Sequence, residues 1–211
     1  LALLTATSIQ QSARAAAFTW DHAGPTNTWS TVAGDTNWLA GPVTWTNGNV
    51  DEANFNTGAD TSVTLSGTVE PSKITFGDWS GTNFTLAGGT IGFNGTTGVI
   101  NSSATTTGAS RIVISGDLTG TAGLTVNGHG NLSSTGGGNS AYLQFSGNNT
   151  GLTGGITVTG GLVEMSAANA LGGNTVTLNG GGLLVSAACV LVAARKAQAR
   201  PRPMTISPVI Q

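Results

Sequence analysis

Apolar residues along this chain recur at alternate positions, in short runs that suit strands and not helices. One unit, apolar, any, apolar, small, glycine, occurs eight times: VTLSG from Val63, FTLAG from Phe84, IGFNG from Ile91, IVISG from Ile112, LTVNG from Leu124, LQFSG from Leu143, ITVTG from Ile156 and VTLNG from Val176. Successive side chains of a strand point to opposite faces, so each unit places two apolar groups on one face. Glycine then turns the chain, three times as Asn-Gly (Asn94-Gly95, Asn127-Gly128, Asn179-Gly180), where positive φ is accessible.

Long intervals between the unit starts (63 to 84, 91 to 112, 124 to 143, 156 to 176) alternate with short ones (84 to 91, 112 to 124, 143 to 156). An antiparallel sandwich expects turn signals every ~8–12 residues and a core with large aromatics. Here the long interval dominates, at roughly the period of a solenoid coil, and positions 94–141 contain no aromatic side chain. A solenoid accounts for both, because each coil stacks on the next and buries only a thin column of Val, Ile and Leu. The expected fold is therefore all-β, a right-handed parallel β-helix, with the antiparallel β-sandwich as the alternative.

Composition supports a repetitive rod and narrows what it does. Among 211 residues only 8% are charged and 6% aromatic, 33 are glycine, and the mean hydropathy is +0.12. Disordered chains combine low hydrophobicity with high net charge, and here the net charge is −2. No apolar run is long enough for a membrane-spanning helix. Between positions 15 and 194 the only cations are Lys73 and Arg111, too few for a nucleic-acid surface or an anionic membrane.

Uneven charge divides the chain. Residues 1–17 resemble the end of a secretory signal, with Leu1 to Ile9 as part of an apolar segment and small residues at Ala13-Arg14-Ala15 or Ala15-Ala16-Ala17 for cleavage. Residues 18–80 hold all five tryptophans (Trp20, Trp29, Trp38, Trp45, Trp79) and most of the acids, and are expected to form a Trp-rich cap with the first coils. Residues 81–186 carry the repeat solenoid. Residues 187–211 lack glycine, contain three prolines and the sole cysteine, Cys189, and gather Arg195, Lys196, Arg200 and Arg202. So abrupt a change suggests either a basic tail or a stretch that is not in the native reading frame.

Residues 143–172 resemble the autotransporter-associated β-strand repeat, or passenger-associated transport repeat, of bacterial surface proteins. The matching positions are Leu143, Phe145, Ser146, Gly147, Asn149, Thr150, Thr153, Gly154, Gly155, Val158, Gly161 and Leu162, closed by Ala170-Leu171-Gly172. Gly151-Leu152 stands where that pattern has an aromatic, Val126 where a lysine is common, and Ser133 to Ala141 reads as an insertion. The resemblance implies an exported surface protein whose passenger part is a non-catalytic β-helical spacer, with a barrel or anchor domain elsewhere. Cut ends of such a rod would self-associate through their strand edges.

Other readings rest on particular residues. Trp29, Trp38, Trp45 and Trp79 would stack on sugar rings in a carbohydrate-binding adhesin, whose partners would be surface glycans or host matrix. A polysaccharide-degrading β-helix enzyme would need clustered carboxylates, yet after Asp117 the only acid is Glu164. His129 between two glycines, and His22 beside Asp21, lack the neighbours of a metal site or triad. Asp51, Glu52, Asn54 and Asp60 offer oxygen ligands without the spacing of a calcium loop, and read as a solvated acidic loop. The sequence implies no catalytic residue, cofactor or metal.

Overall fold

Alternation of Val, Ile, Leu and Phe with Thr, Asn and Ser gives the chain short strands. There are nineteen among the residues that the computed structural model describes, which are 15–21, 26–32, 37–39, 44–48, 51–56, 62–77, 83–93, 95, 97–102, 111–128 and 142–186. These residues are all-β, with no helix. The strands form three sheets. Sheet A contains β1 (Ala17–Trp20), β3 (Trp38–Leu39), β4 (Glu52–Phe55), β7 (Lys73–Phe76), β10 (Gly98–Ser102), β13 (Leu124–Asn127), β16 (Ile156–Gly160) and β18 (Val176–Leu178). Sheet B contains β2 (Thr28–Trp29), β5 (Ser62–Leu65), β8 (Asn83–Ala87), β11 (Arg111–Ile114), β14 (Tyr142–Phe145), β17 (Leu162–Met165) and β19 (Gly182–Val185). Sheet C contains β6 (Thr68–Val69), β9 (Thr90–Phe93), β12 (Asp117–Gly120) and β15 (Gly151–Leu152).

From β4 to β17 the chain visits sheets A, B and C in rotation, and each new strand except β6, which begins sheet C, lies beside the strand laid down one round earlier in the same sheet. The last round passes from β17 to β18 and β19 without a strand in sheet C. Apart from β1 with β3, every pairing among the described residues is parallel, and no sheet closes on itself. Parallel neighbours need a crossover rather than a hairpin, which is incompatible with the antiparallel sandwich. The arrangement is solenoid-like.

Register turns the rotation into columns. In sheet A, Ala53, Ile74, Ile100, Val126 and Val158 are successive partners and all fully buried. Leu178 follows Val158 in the same column. The steps between these positions are unequal, longest from Val126 to Val158 and shortest from Val158 to Leu178, so coil length varies while the stacking persists. The eight units of the sequence are strands, but of different sheets. Val63, Phe84, Ile112 and Leu143 begin units in sheet B, Leu124, Ile156 and Val176 in sheet A, and Ile91 in sheet C. The short intervals of the sequence are thus steps between sheets within one coil. In seven units both apolar residues are buried; in the last, Val176 is half-buried and Leu178 is 52% exposed.

At the N-terminal end the column is wider and aromatic. Trp20, Trp29, Trp38 and Trp45 are each at most 2% exposed and meet mostly edge to face: Trp20 on Trp38 at 5.1 Å and 90°, Trp29 on Trp45 at 5.0 Å and 80°. Phe55 joins this group to Phe76 and Phe84 in the next coil. Each such ring buries ~150–250 Å², and each well-oriented pair adds ~0.5–1.5 kcal/mol. Replacing Trp38 by Ala should therefore lower the unfolding free energy by about 3–5 kcal/mol, whereas Leu39→Ala, on the solvent side of the same strand, should change it by less than ~0.5 kcal/mol. Denaturant titration followed by tryptophan emission measures both.

Candidate functional site

The segment 143–172 is built for contact between coils. On β14, Leu143 and Phe145 face inward and are fully buried, as is Val158 on β16. Gly154 lies against the corner of the coil below: a Cβ there would come within 1.9 Å of Gly123 N. Gly161 has φ +64°, in the left-handed region, and a Cβ on it would meet Gly128 O at 2.2 Å. Gly147 occupies the remaining corner of this coil, against Gly116 of the coil before; Gly155, beside Gly154, has φ +85°, and Thr150 is exposed at a turn. Leu162 pairs with Gly182 on the outer rank and is half-buried; Val163, next along the strand, takes the inward position.

Asn149 is the most interconnected polar residue of this segment and is 1% exposed. Its Oδ1 accepts Leu118 N–H (2.8 Å) from one coil, and its Nδ2 donates to Ala170 O (2.7 Å) in the next. Its own N–H donates to Asn169 O and its carbonyl accepts Leu152 N–H. The side-chain amide thus supplies one acceptor and one donor, as a peptide group would, where the two coils approach without strand pairing. Asn174 repeats the device: Oδ1 accepts Gly155 N–H (3.1 Å), and Nδ2 donates to Leu171 O (2.7 Å) and Leu152 O. At the N-terminal end, Asn47 donates to Thr68 O and accepts from Glu70 N, while the buried Asn37 donates to Thr28 O.

The tryptophans proposed for glycan stacking lie inside. Trp29, Trp38 and Trp45 are 0%, 2% and 1% exposed, so none presents an indole face to a sugar ring. Trp79 lies outside the described residues, as do His22, His129, Asp60 and Cys189. The stretch read as a solvated acidic loop is strand β4 and its lead-in: Asp51 is 5% exposed and its Oδ1 accepts Ala16 N–H, Glu52 pairs with Lys73 at 3.2 Å, and Asn54 stacks between Thr19 and Thr75. Those side chains serve neighbouring coils, and among the described residues no three His, Cys, Asp or Glu converge on a metal-sized space.

Asp117 and Glu164, the acids considered for catalysis, belong to different sheets. Asp117, opening β12, accepts Asn148 N–H through Oδ1 at 2.9 Å. Glu164, on β17, accepts Gln144 Nε2–H at 2.7 Å and the Tyr142 hydroxyl. Arg111 completes this group, its guanidinium 5.0 Å from the centre of the Tyr142 ring, an attractive arrangement. Arg111, Tyr142, Gln144 and Glu164 form one connected group on sheet B. The sequence hid them because the IVISG and LQFSG units had not been assigned to one sheet; Arg111 and Tyr142 each precede such a unit, and strand pairing makes them neighbours.

Burial, the Glu164 carboxylate beside it and the hydrogen bond to that carboxylate push the Tyr142 phenol above its ordinary 10.0; the Arg111 charge opposes them. Chemically the group is a proton donor held by an acid and shielded by a cation, with no free base. A groove of about 390 Å³ lies between residues 152–155 and 172–175, where sheet C gives out. Its lining of main chain, Thr and Asn offers hydrogen bonds and no titratable group. Compared with family models, curated proteins and solved structures, the chain matches none of them.

Two measurements check this geometry. Asn149→Ala leaves Leu118 N–H and Ala170 C=O buried without their partner and should lower stability by about 2–4 kcal/mol in denaturant titration. Tyr142 is the chain's one tyrosine, so ultraviolet difference absorbance reports its ionisation alone. The midpoint should lie above 10.0 in the folded protein and fall towards it in Glu164→Gln. Because the folded value is the higher one, the stabilisation linked to this proton is complete below pH ~10 and is lost as pH rises through the folded value.

Proposed function

We propose that the chain is the passenger-type part of an exported bacterial surface protein, a right-handed β-helical rod that acts as a spacer and performs no catalysis. The observation that carries this reading is the rotation through three parallel sheets, with the repeat-like segment 143–172 serving contact between coils. Right-handedness follows from the strong preference of parallel crossovers. In stacked repeats each coil contacts only its neighbours, so the body is long and stiff for its mass and tolerates loops of unequal length. Such loops are what a surface spacer would display.

Support for the spacer over an enzyme comes from how the polar groups are used. Asp117 holds a turn, Glu164 is engaged by Gln144 and Tyr142, and Glu52 faces Lys73. An adhesin built on Trp29, Trp38 and Trp45 draws no support from three enclosed rings. Export and surface location rest on the signal-like first residues and the repeat resemblance.

Fused between a secretion signal and an outer-membrane barrel, the chain should bring an N-terminal epitope within reach of antibody on intact cells. A variant that breaks the stacking, Gly154→Val with Asn149→Ala, should lose most of that display. A chain that folds when purified yet stays inside the cell, or a broken variant displayed equally well, would refute the proposal.

A further inference from the structure

An asparagine followed by glycine can rearrange without any enzyme. The glycine nitrogen loses its proton and attacks the asparagine Cγ; an N–Cγ bond forms, the Cγ–Nδ2 bond breaks, and Nδ2 leaves with that proton as ammonia. Water then opens the cyclic imide to aspartate, or to isoaspartate, in which the main chain runs through the side-chain carbonyl. No oxidant or further reactant takes part. The step needs a side-chain amide free to swing towards the next residue, and a glycine N–H that is not engaged elsewhere. Glycine also lacks a side chain that would hinder the attack.

The chain contains this dipeptide four times, at Asn47-Gly48, Asn94-Gly95, Asn127-Gly128 and Asn179-Gly180. Asn94 lies outside the described residues. At Asn47 both ends of the amide are held: Nδ2 donates to Thr68 O at 2.8 Å and Oδ1 accepts Glu70 N–H at 2.9 Å. At Asn127, Nδ2 donates to Asn101 Oδ1 at 2.7 Å in the coil before, and the N–H of the buried Gly128 donates to Gly160 O at 2.8 Å in the coil after. Attack there requires both bonds to open together. Asn179 directly follows β18 and is exposed, as is Gly180. The Asn179 main-chain N–H is bound to Val158 O at 2.7 Å. Among the described residues neither its side-chain amide nor the Gly180 N–H has a hydrogen-bond partner.

We infer that Asn179 is a site of spontaneous covalent modification, deamidation through a succinimide, and that the stacking of coils withholds the same reaction from Asn47 and Asn127. An identical dipeptide thus has opposite fates according to its level in the stack. Asn127-Gly128 is gripped by the coils on both sides, whereas the Asn179 hydrogen bond runs to the coil below. The product carries one added negative charge. Its isoaspartyl form lengthens the main chain by a methylene beside the bond that anchors this coil to Val158. The inference rests on exposure and hydrogen bonding alone, and holds whether or not the chain is exported.

Peptide mapping by mass spectrometry tests it, on the full chain aged in mildly alkaline buffer well below its thermal midpoint. Conversion to aspartate and isoaspartate should proceed at Asn179 at least ~10-fold faster than at Asn47 or Asn127, whose reaction must wait for their hydrogen bonds to open. The same chain aged in denaturant should lose this ranking, because every site is then free. The inference is overturned if Asn179 stays intact in the folded chain while it converts in the unfolded one. It is equally overturned if Asn47 or Asn127 converts as fast as Asn179 in the folded chain, or if the ranking persists in denaturant, which would make it a property of local sequence.

Discussion

Everything in this molecule follows from one spacing. Neighbouring strands in a sheet lie ~4.8 Å apart, so each coil must pass over the one before it at that distance on every side, corners included. On the flat sides, main-chain hydrogen bonds hold the distance and the interior receives a rank of Val, Ile, Leu or Phe per coil. At some corners there is no room for a side chain between coils, hence Gly154 against Gly123 and Gly161 against Gly128. Where the strands stop pairing but the coils still touch, the side-chain amides of Asn149 and Asn174 supply the missing donor and acceptor.

A structure so constrained in cross-section is free along its contour. Coils of unequal length stack without disturbing the columns, because the longer connections from β10 to β11 and from β13 to β14 return the chain to the same register. Stability in such an array is roughly a sum of neighbour contacts, which makes the end coils the vulnerable ones. The aromatic floor under Ala53 and Phe55 and the edge-covering Asn37 and Asn47 meet that need at one end. Outward-facing groups are then left over for other work, and Arg111, Tyr142, Gln144 and Glu164 use theirs on each other.

The strands were legible in the sequence because period-two alternation followed by glycine has one local meaning: seven of the eight units bury both apolar residues. Their sheet membership was not legible. Val63 and Ile91 carry the same pattern but belong to different sheets, and nothing within the unit says which side of the coil a strand will line. For the same reason the contact of Arg111 with Tyr142 was invisible, as was the inward position of Val163 beside the half-buried Leu162. Asn149 could be singled out through the repeat resemblance; Asn47 and Asn174 could not, since a turn asparagine and one that bridges two coils look alike in sequence. The DEANF stretch was misread as a loop because its acids masked an alternation in which Ala53 and Phe55 point inward.

The central claim is that strands far apart in sequence are stacked, parallel and in register, and one distance series measures it directly. Spin labels paired from Glu52 to Val99, Thr125, Thr157 and Thr177 lie along a single ladder of sheet A, through Lys73. Stacking predicts backbone separations rising by one strand spacing per step, to about 24 Å at Thr177, five strands away. Distances that fail to increase in that order, or labels at Glu52 and Thr177 that lie within ~10 Å of each other as strands two places apart would, would contradict it.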